Sequence, residues 1–305
     1  MQGKTQRVRI GIGGWEHDVL DQALYSAPGL DATEKLREYA RSFDAVEVRP
    51  TFWDDALGPD DAHVWVQAVR ENPAFLFSVK LHNALTHRRA FPPETIRRMR
   101  GLLQTLASSD RLGAVLAQFP YAFTNTSANR FHVVRIAELF RGFPLHVEFR
   151  HQSWNTPSLL HFLGEASVSP VSADVPRVRQ LMPFTTGVLG ETAYLRLHGR
   201  NERGWLSTDM DARYDYLYNA RELQELRRRI EAVNPSCRTI LVLFNTTTGA
   251  KAVANGFQLA SVVRDGKAVM VPRVSLQRFP FLAQVAGPDS GREGLFETSP
   301  FRAVV

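Results

Sequence analysis

The chain has 305 residues, 44% of them hydrophobic, and carries 37 Lys and Arg against 31 Asp and Glu, a formal charge of +6. That length admits one large domain or two small ones, and the single cysteine, Cys237, excludes an internal disulfide and fits a reducing cytoplasm. The opening segment Met1 to Arg7 has no apolar core of the secretory type, no apolar run is long enough for a membrane span, and the mild positive excess permits anionic partners without demanding them.

Eight short apolar segments recur along the chain: 8–13, 45–49, 75–80, 114–118, 146–150, 170–174, 194–198 and 240–245. Helical patterns fall between most neighbours, at 32–42, 60–71, 94–109, 129–141, 156–165, 213–233 and 249–260. In 213–233 the residues Tyr214, Leu217, Leu223, Leu226 and Ile230 fit one buried stripe. The helix near 94 opens after Pro92-Pro93 with Glu94 in its first turn, which is favourable start chemistry. Only 175–190 lacks a clear helix, and the long polar loop 199–212 is placed to cover a site. Strands alternating with helical crossovers predict an α/β fold, a TIM-like (β/α)8 barrel over residues 1–260 in a single domain. Beyond 260 the pattern changes. Val262-Val263-Arg264 and Val269-Met270-Val271 flank Asp265-Gly266 as a hairpin would. Residues 261–305, with Phe279, Pro280, Phe281, Pro288, Gly291 and Pro300, then read as an irregular extension lying on the barrel.

In such barrels the active site lies at the carboxyl ends of the strands. There this chain places Glu47, Arg49, Lys80, Gln118, Glu148, Arg150, Asp174, Arg196, His198 and Asn245. Strand alternation puts Glu47 with Arg49, Ser78 with Lys80, Glu148 with Arg150, and Arg196 with His198 on shared faces. Central parallel strands are normally continuous apolar runs, so these paired charges point either to a functional pocket or to an internal ion network. Arg49, Lys80, Arg150 and Arg196 against Glu47, Glu148 and Asp174 leave a slightly positive set. Arginine forks match phosphate or carboxylate geometry. Aromatic residues sit in the same loops: Trp15, Phe52, Trp53, Phe119, Tyr121 and Trp154. Of these Trp15 and Trp154 are candidate stacking platforms. Neighbouring cations compete with any metal at these carboxylates, so no metal or cofactor is expected.

Other motifs fail. Gly11-Ile12-Gly13-Gly14-Trp15-Glu16 matches a dinucleotide fingerprint only at its start, because Glu16 stands where the third glycine belongs. No Walker loop, zinc-spaced cluster or nucleophile elbow occurs. A two-carboxylate glycosidase built on Glu148 and Asp174 is disfavoured by the surrounding cations.

The chain resembles the YecE-like family, also called domain of unknown function 72, from about residue 10 to 258. The resemblance is carried by Gly14-Trp15, Val46-Glu47 with Thr51-Phe52, and Phe77-Ser78-Val79-Lys80 with Thr86-His87. It continues through Leu116-Ala117-Gln118-Phe119-Pro120, Val147-Glu148-Phe149-Arg150 with Ser153-Trp154, and Asp174-Val175-Pro176. Tyr194 to Arg200 and Phe244-Asn245 with Gly249 and Asn255 complete it. The resemblance implies a TIM-like barrel and names no reaction. This chain departs from the family pattern near the mouth: Gly13 replaces Ser, Arg49-Pro50 replaces Asn-Ser, Trp53 replaces Tyr, and Thr246 replaces a second Asn.

The reading that follows is an enzyme acting on an anionic, phosphorylated or nucleic-acid-derived substrate. Lys80, Arg150 and Arg196 hold the anion, with Trp15, Arg49, Gln118, Trp154 and Asn245 as further ligand contacts. Glu148 or Glu47 serves as general base, His87 or His198 as acid, and Asp174 joins the catalytic set. The alternatives are a binding module without turnover, for a small anion or nucleic acid, and a metal-dependent phosphodiesterase. In a working pocket Glu148→Gln changes stability little. In a buried network it destabilises the fold by roughly 3–5 kcal/mol. Sequence leaves the oligomeric state open.

Overall fold

The eight apolar segments form eight parallel strands: β1 (Arg7–Gly13), β2 (Ala45–Val48), β3 (Leu76–Lys80), β4 (Leu112–Gln118), β5 (Leu145–Glu148), β6 (Ser169–Asp174), β7 (Thr192–Leu197) and β8 (Thr239–Phe244). Each pairs with the next, and β8 returns to β1 through Val8↔Ile240, Ile10↔Val242 and Ile12↔Phe244, closing a barrel. This is a computed structural model, and it describes residues 7–178, 180–185, 187–233, 236–288 and 290.

The helices are α1 (Asp18–Asp21), α2 (Ala32–Ser42), α3 (Pro59–Ala68), α4 (Asn83–Thr86), α5 (Pro93–Ser108), α6 (Ser127–Leu139), α7 (Leu159–Glu165), α8 (Glu202–Leu206), α9 (Met210–Tyr214), α10 (Ala220–Glu231), α11 (Lys251–Val262) and α12 (Arg273–Arg278). Local chemistry starts several of them. Asp31 accepts from the Thr33 and Glu34 amides while Glu34 reaches back to the Asp31 amide, a reciprocal cap on α2. Asn219 and Glu222 do the same for α10, whose buried Leu223, Leu226 and Ile230 face the barrel. Proline begins α3 and α5, where its missing amide costs nothing.

Alternation along the strands sorts the side chains. Val46, Val48, Phe77, Val79, Val147, Leu195, Leu197 and Val242 point outward into the large apolar layer beneath the helices. Ala45, Ala114, Leu116, Val171, Tyr194, Leu241 and Leu243 fill the barrel interior. The interior is tight: a Cβ on Gly11 would meet the Ala45 carbonyl oxygen at 1.7 Å.

Three expectations change. The pattern at 213–233 is two helices, not one. Residues 210–214 form α9, the chain breaks at 215–219, and Leu217 is exposed, so the stripe begins at Leu223. The hairpin at 262–271 is absent. The helical stripe of α11 carries through Val262, Asp265 and Gly266 adopt positive φ in the turn that follows, and Val269 bridges in parallel to Ala286. Two residues with positive φ suited a hairpin turn, but the preceding helix decided the geometry. The segment after it packs as α12 and a short helical turn, with Phe279 and Leu282 buried and Ser275 Oγ donating to the Ala23 carbonyl. Gly291 and Pro300 of the expected extension, and Met1 to Gln6, lie outside the described residues. No helix among the described residues is long and apolar enough to cross a membrane.

Candidate functional site at the barrel mouth

Glu47, Glu148 and Arg196 occupy inward positions on three different strands, and the closed barrel brings them together. Arg196 Nε and Nη2 donate to Glu47 Oε2 at 2.8 Å and Oε1 at 2.7 Å, a two-pronged contact, and Nη1 donates to Glu148 Oε2. All three are almost wholly buried, at 3%, 0% and 1% exposure for Arg196, Glu47 and Glu148. Tyr194, two residues before Arg196, donates to Glu47 Oε2 at 2.8 Å and accepts from Ser78 Oγ at 2.8 Å. Burial alone would raise both carboxyl groups. The Arg196 charge outweighs it and holds Glu47 below, and Glu148 well below, the usual carboxylate range.

His198 lies beside Glu148, its Nε2 3.3 Å from Oε2, and its Nδ1 is 3.4 Å from Asn245 Nδ2. A proton on Nε2 satisfies Glu148 and leaves Nδ1 to accept from the Asn245 amide. Asn245 Oδ1 then turns away toward Gly13, buried and with no partner among the described residues. Burial, opposed by Glu148, brings His198 down to about 4, so it is a neutral imidazole at pH 7.

Three further cations, Arg150, Lys80 and Arg49, lie around this cluster. Arg150 donates from Nε to Glu148 Oε1 at 3.2 Å, and its guanidinium lies against the Tyr214 hydroxyl. Lys80 projects from the end of β3, its Nζ 3.8 Å from the Phe52 ring centroid. Burial, then the Arg196 charge, brings its ammonium down to about 7. Arg49 follows β2, its Cδ 3.3 Å from where a Cβ on Gly13 would stand. That Cβ would also stand 2.5 Å from Asn245 Oδ1, so the bare Gly13 backbone leaves room first for the Asn245 amide. Two aromatic rings, one from the loop 199–212 and one just after it, lie close to His198. Trp205 of α8 and Tyr214 of α9 stand 6.3 and 6.1 Å from the His198 ring, and Trp205 lies between Arg150 and Arg213 at 5.5 and 5.2 Å. Trp205 Nε1, Arg213 Nε and Thr246 Oγ1 are also buried without partners among the described residues.

Several expected members lie elsewhere. Asp174 has the parity of Ser172, outward from Ala173, so it leaves the mouth. It accepts from Arg200 at 2.8 and 2.9 Å, from Arg229 at 2.7 Å and from Tyr218 at 2.8 Å, tying β6 to α10. Trp15 packs edge-on against Trp65 and donates to the Ala32 carbonyl. Trp154 stacks 3.8 Å from Phe149 and donates to the Phe123 carbonyl. Both indoles are core, because a ring buried on both faces offers no platform. The exposed rim aromatics are Trp53 and Tyr121. Gln118, paired with Glu148 across β4 and β5, is buried and donates to the Phe119 carbonyl. His87 is exposed, bonded to Thr86 and packed on Phe52. Burial of its inner edge, then the charges of Lys80 and Arg150, hold it below its ordinary value.

Sequence reasoning missed Tyr194, Trp205 and Tyr214. The parity that links Arg196 with His198 also selects Tyr194. The loop 199–212 is expected to cover a site, but no local pattern singles out Trp205 within it, or Tyr214 beyond it, as the residue facing His198.

Barrel and mouth together define a TIM-like (β/α)8 protein with a charged carboxyl-end site. The chain belongs to the DUF72 family: a sequence model of that family, described as a protein of unknown function, matches residues 9–278. That match runs twenty residues past the resemblance read from motifs, through α12. The UPF0759 protein YunF of Bacillus subtilis is 28% identical over 285 residues, covering 87% of this chain and 98% of YunF. A solved DUF72 family protein of Thermotoga maritima superposes with TM-score 0.74 at 27% identity, covering 85% of this chain and all of that one. One from Enterococcus faecalis gives 0.73 at 28% identity, covering 84% and 95%.

Proposed function

We propose that the chain is an enzyme that binds an anionic substrate at the barrel mouth and moves protons there. The observation that carries this reading is the division of the charges. Arg196 is fully occupied in holding Glu47 and Glu148, yet Arg49, Lys80 and Arg150 remain around the same opening. Positive charge beyond what the carboxylates neutralise attracts an anion, and the orphaned Asn245 Oδ1 and Trp205 Nε1 supply an acceptor and a donor for its polar groups.

The roles differ from those read in sequence. Arg196 is a clamp rather than an anion ligand. Glu47 and Glu148, held ionised, are weak bases, and His198, held neutral, is a weak acid. Lys80, with its proton affinity near neutrality, is the group suited to acid–base work. A metal-dependent phosphodiesterase is less well supported, since a divalent ion would compete with the Arg196 guanidinium for both carboxylates. The exposed rings of Trp53 and Tyr121 favour a second reading, in which bases of a single strand stack on the rim.

Calorimetry and thermal melting with inorganic phosphate, pyrophosphate, sugar phosphates, AMP and a short oligothymidylate test this. At least one anion is expected to bind saturably and raise Tm. Arg150→Ala should weaken it about tenfold to a hundredfold, the loss of one charge-assisted contact. Absence of binding by every anion overturns the reading. Binding without product by mass spectrometry leaves a binding module, and binding by the oligomer alone favours the rim.

A further inference from the structure

Among the described residues Lys80 Nζ makes no hydrogen bond and has no carboxylate within 4.0 Å. Both mouth carboxylates are instead taken by Arg196, with Arg150 also on Glu148. The amine rests on the Phe52 ring, while its backbone is fixed by pairing with Leu116 and by Thr51 Oγ1 donating to its carbonyl at 2.6 Å. The Nζ thus lies against an aromatic face rather than an acid, at a mouth where arginines already supply the charge.

We propose that Lys80 is a nucleophile that forms an imine with the carbonyl carbon of an anionic aldehyde or ketone held by Arg150 and Arg49. The inference rests on reading the mouth as an anion site and adds the substrate class. The neutral amine attacks the carbonyl carbon, a C–N bond forms, and the nitrogen proton passes to the former carbonyl oxygen. The resulting hydroxyl takes a second proton and leaves as water, giving the protonated imine. Overall, ammonium and carbonyl give iminium and one water, with no change in oxidation state. Tyr214, whose hydroxyl lies against the Arg150 guanidinium that holds the anion, is the group assigned to deliver the second proton. Burial raises its hydroxyl, but the Arg150 charge outweighs this and keeps it below the ordinary phenol value. Glu47 and Glu148 stay ionised on Arg196 and stabilise the cationic imine. Burial, followed by the charges of Arg196 and Arg150, lowers the ammonium to about 7 and so favours the neutral amine that the attack needs.

Reductive trapping tests this. Whole protein is incubated at pH 7 with cyanoborohydride and pyruvate, glyoxylate or glyceraldehyde 3-phosphate, with acetone and dihydroxyacetone as neutral controls. Intact mass and peptide mapping then locate the adducts. One saturable adduct on Lys80 is expected, at least about tenfold faster than on any other lysine, because an ordinary lysine is almost wholly protonated at this pH. Excess phosphate should compete, and the neutral carbonyls should label weakly. Lys80→Arg should lose the adduct. Mapping on the wild type decides the matter even where that variant fails to fold. No preference for Lys80 with any probe overturns the imine. If anions still raise Tm, only the imine falls. If they do not, the anion site falls with it.

Discussion

Arg196 shows most clearly how this protein handles charge. A guanidinium at 3% exposure is costly to bury, and two carboxylates at 0% and 1% offset that cost only while all three are present. Burial and pairing of this kind lead us to expect that replacing either Glu148 or Arg196 lowers stability, whatever the mouth binds. Arg196→Met should lower stability by roughly 3–5 kcal/mol, since it strands two buried anions. Chemical denaturation measures this, and Arg196→Met combined with Glu47→Gln should recover part of the loss. A change below about 1 kcal/mol would show that water reaches the cluster freely. Much of this residue-level picture was legible in sequence, because Glu47, Glu148, Arg196 and His198 all follow from strand parity and position at strand ends. Asp174 stands at a strand end too, but its parity carries it to the other face, where Arg200 and Arg229 claim it.

At the scale of elements, the cover over the mouth is the least predictable part. Asn201 accepts from the Gly204 amide at 3.1 Å and donates to the Ala212 carbonyl at 2.8 Å, joining α8 to α9. A Cβ on Gly204 would stand 2.2 Å from that carbonyl oxygen, so the two short helices meet backbone to backbone. Gly204→Ala should force them apart and lift Trp205 from the mouth. Limited proteolysis within 201–215 should speed up by about tenfold or more, and anion affinity should fall, while the barrel melts within a few degrees of wild type. Unchanged cleavage would mean that the cover is held by something other than this contact. Short helices of five residues have too little periodicity to be read from sequence, which is why 199–212 read only as a polar loop and 213–233 as one helix.

At the scale of the whole molecule, the segment after α11 is packed into the same structure as the barrel. Leu282 and Val271 are completely buried, and Ser275 is bonded to the carbonyl of Ala23 near the other end of the chain. We expect residues 261–290 to unfold with the barrel as one unit. Leu282→Ala should shift a single cooperative transition by about 2–5 kcal/mol, as other buried leucine truncations do. Two separate transitions by calorimetry would mark the segment as an independent appendage. The same comparison separates what each level of structure decided. Apolar runs with period two, spaced by amphipathic stretches, determined the eight strands and the barrel, because burial on both faces of a parallel strand leaves few other ways to satisfy such a pattern. Strand parity determined which charges face inward. Closure of the barrel decided which of them meet, since Glu47, Glu148 and Arg196 lie up to 149 positions apart. Tertiary packing likewise decided that Trp15 and Trp154 are core, that the Asn245 amide lies close over Gly13, and that Lys80 has no acid beside it. Those outcomes depend on distances between strands and on who reaches a shared partner first, and no local pattern encodes either.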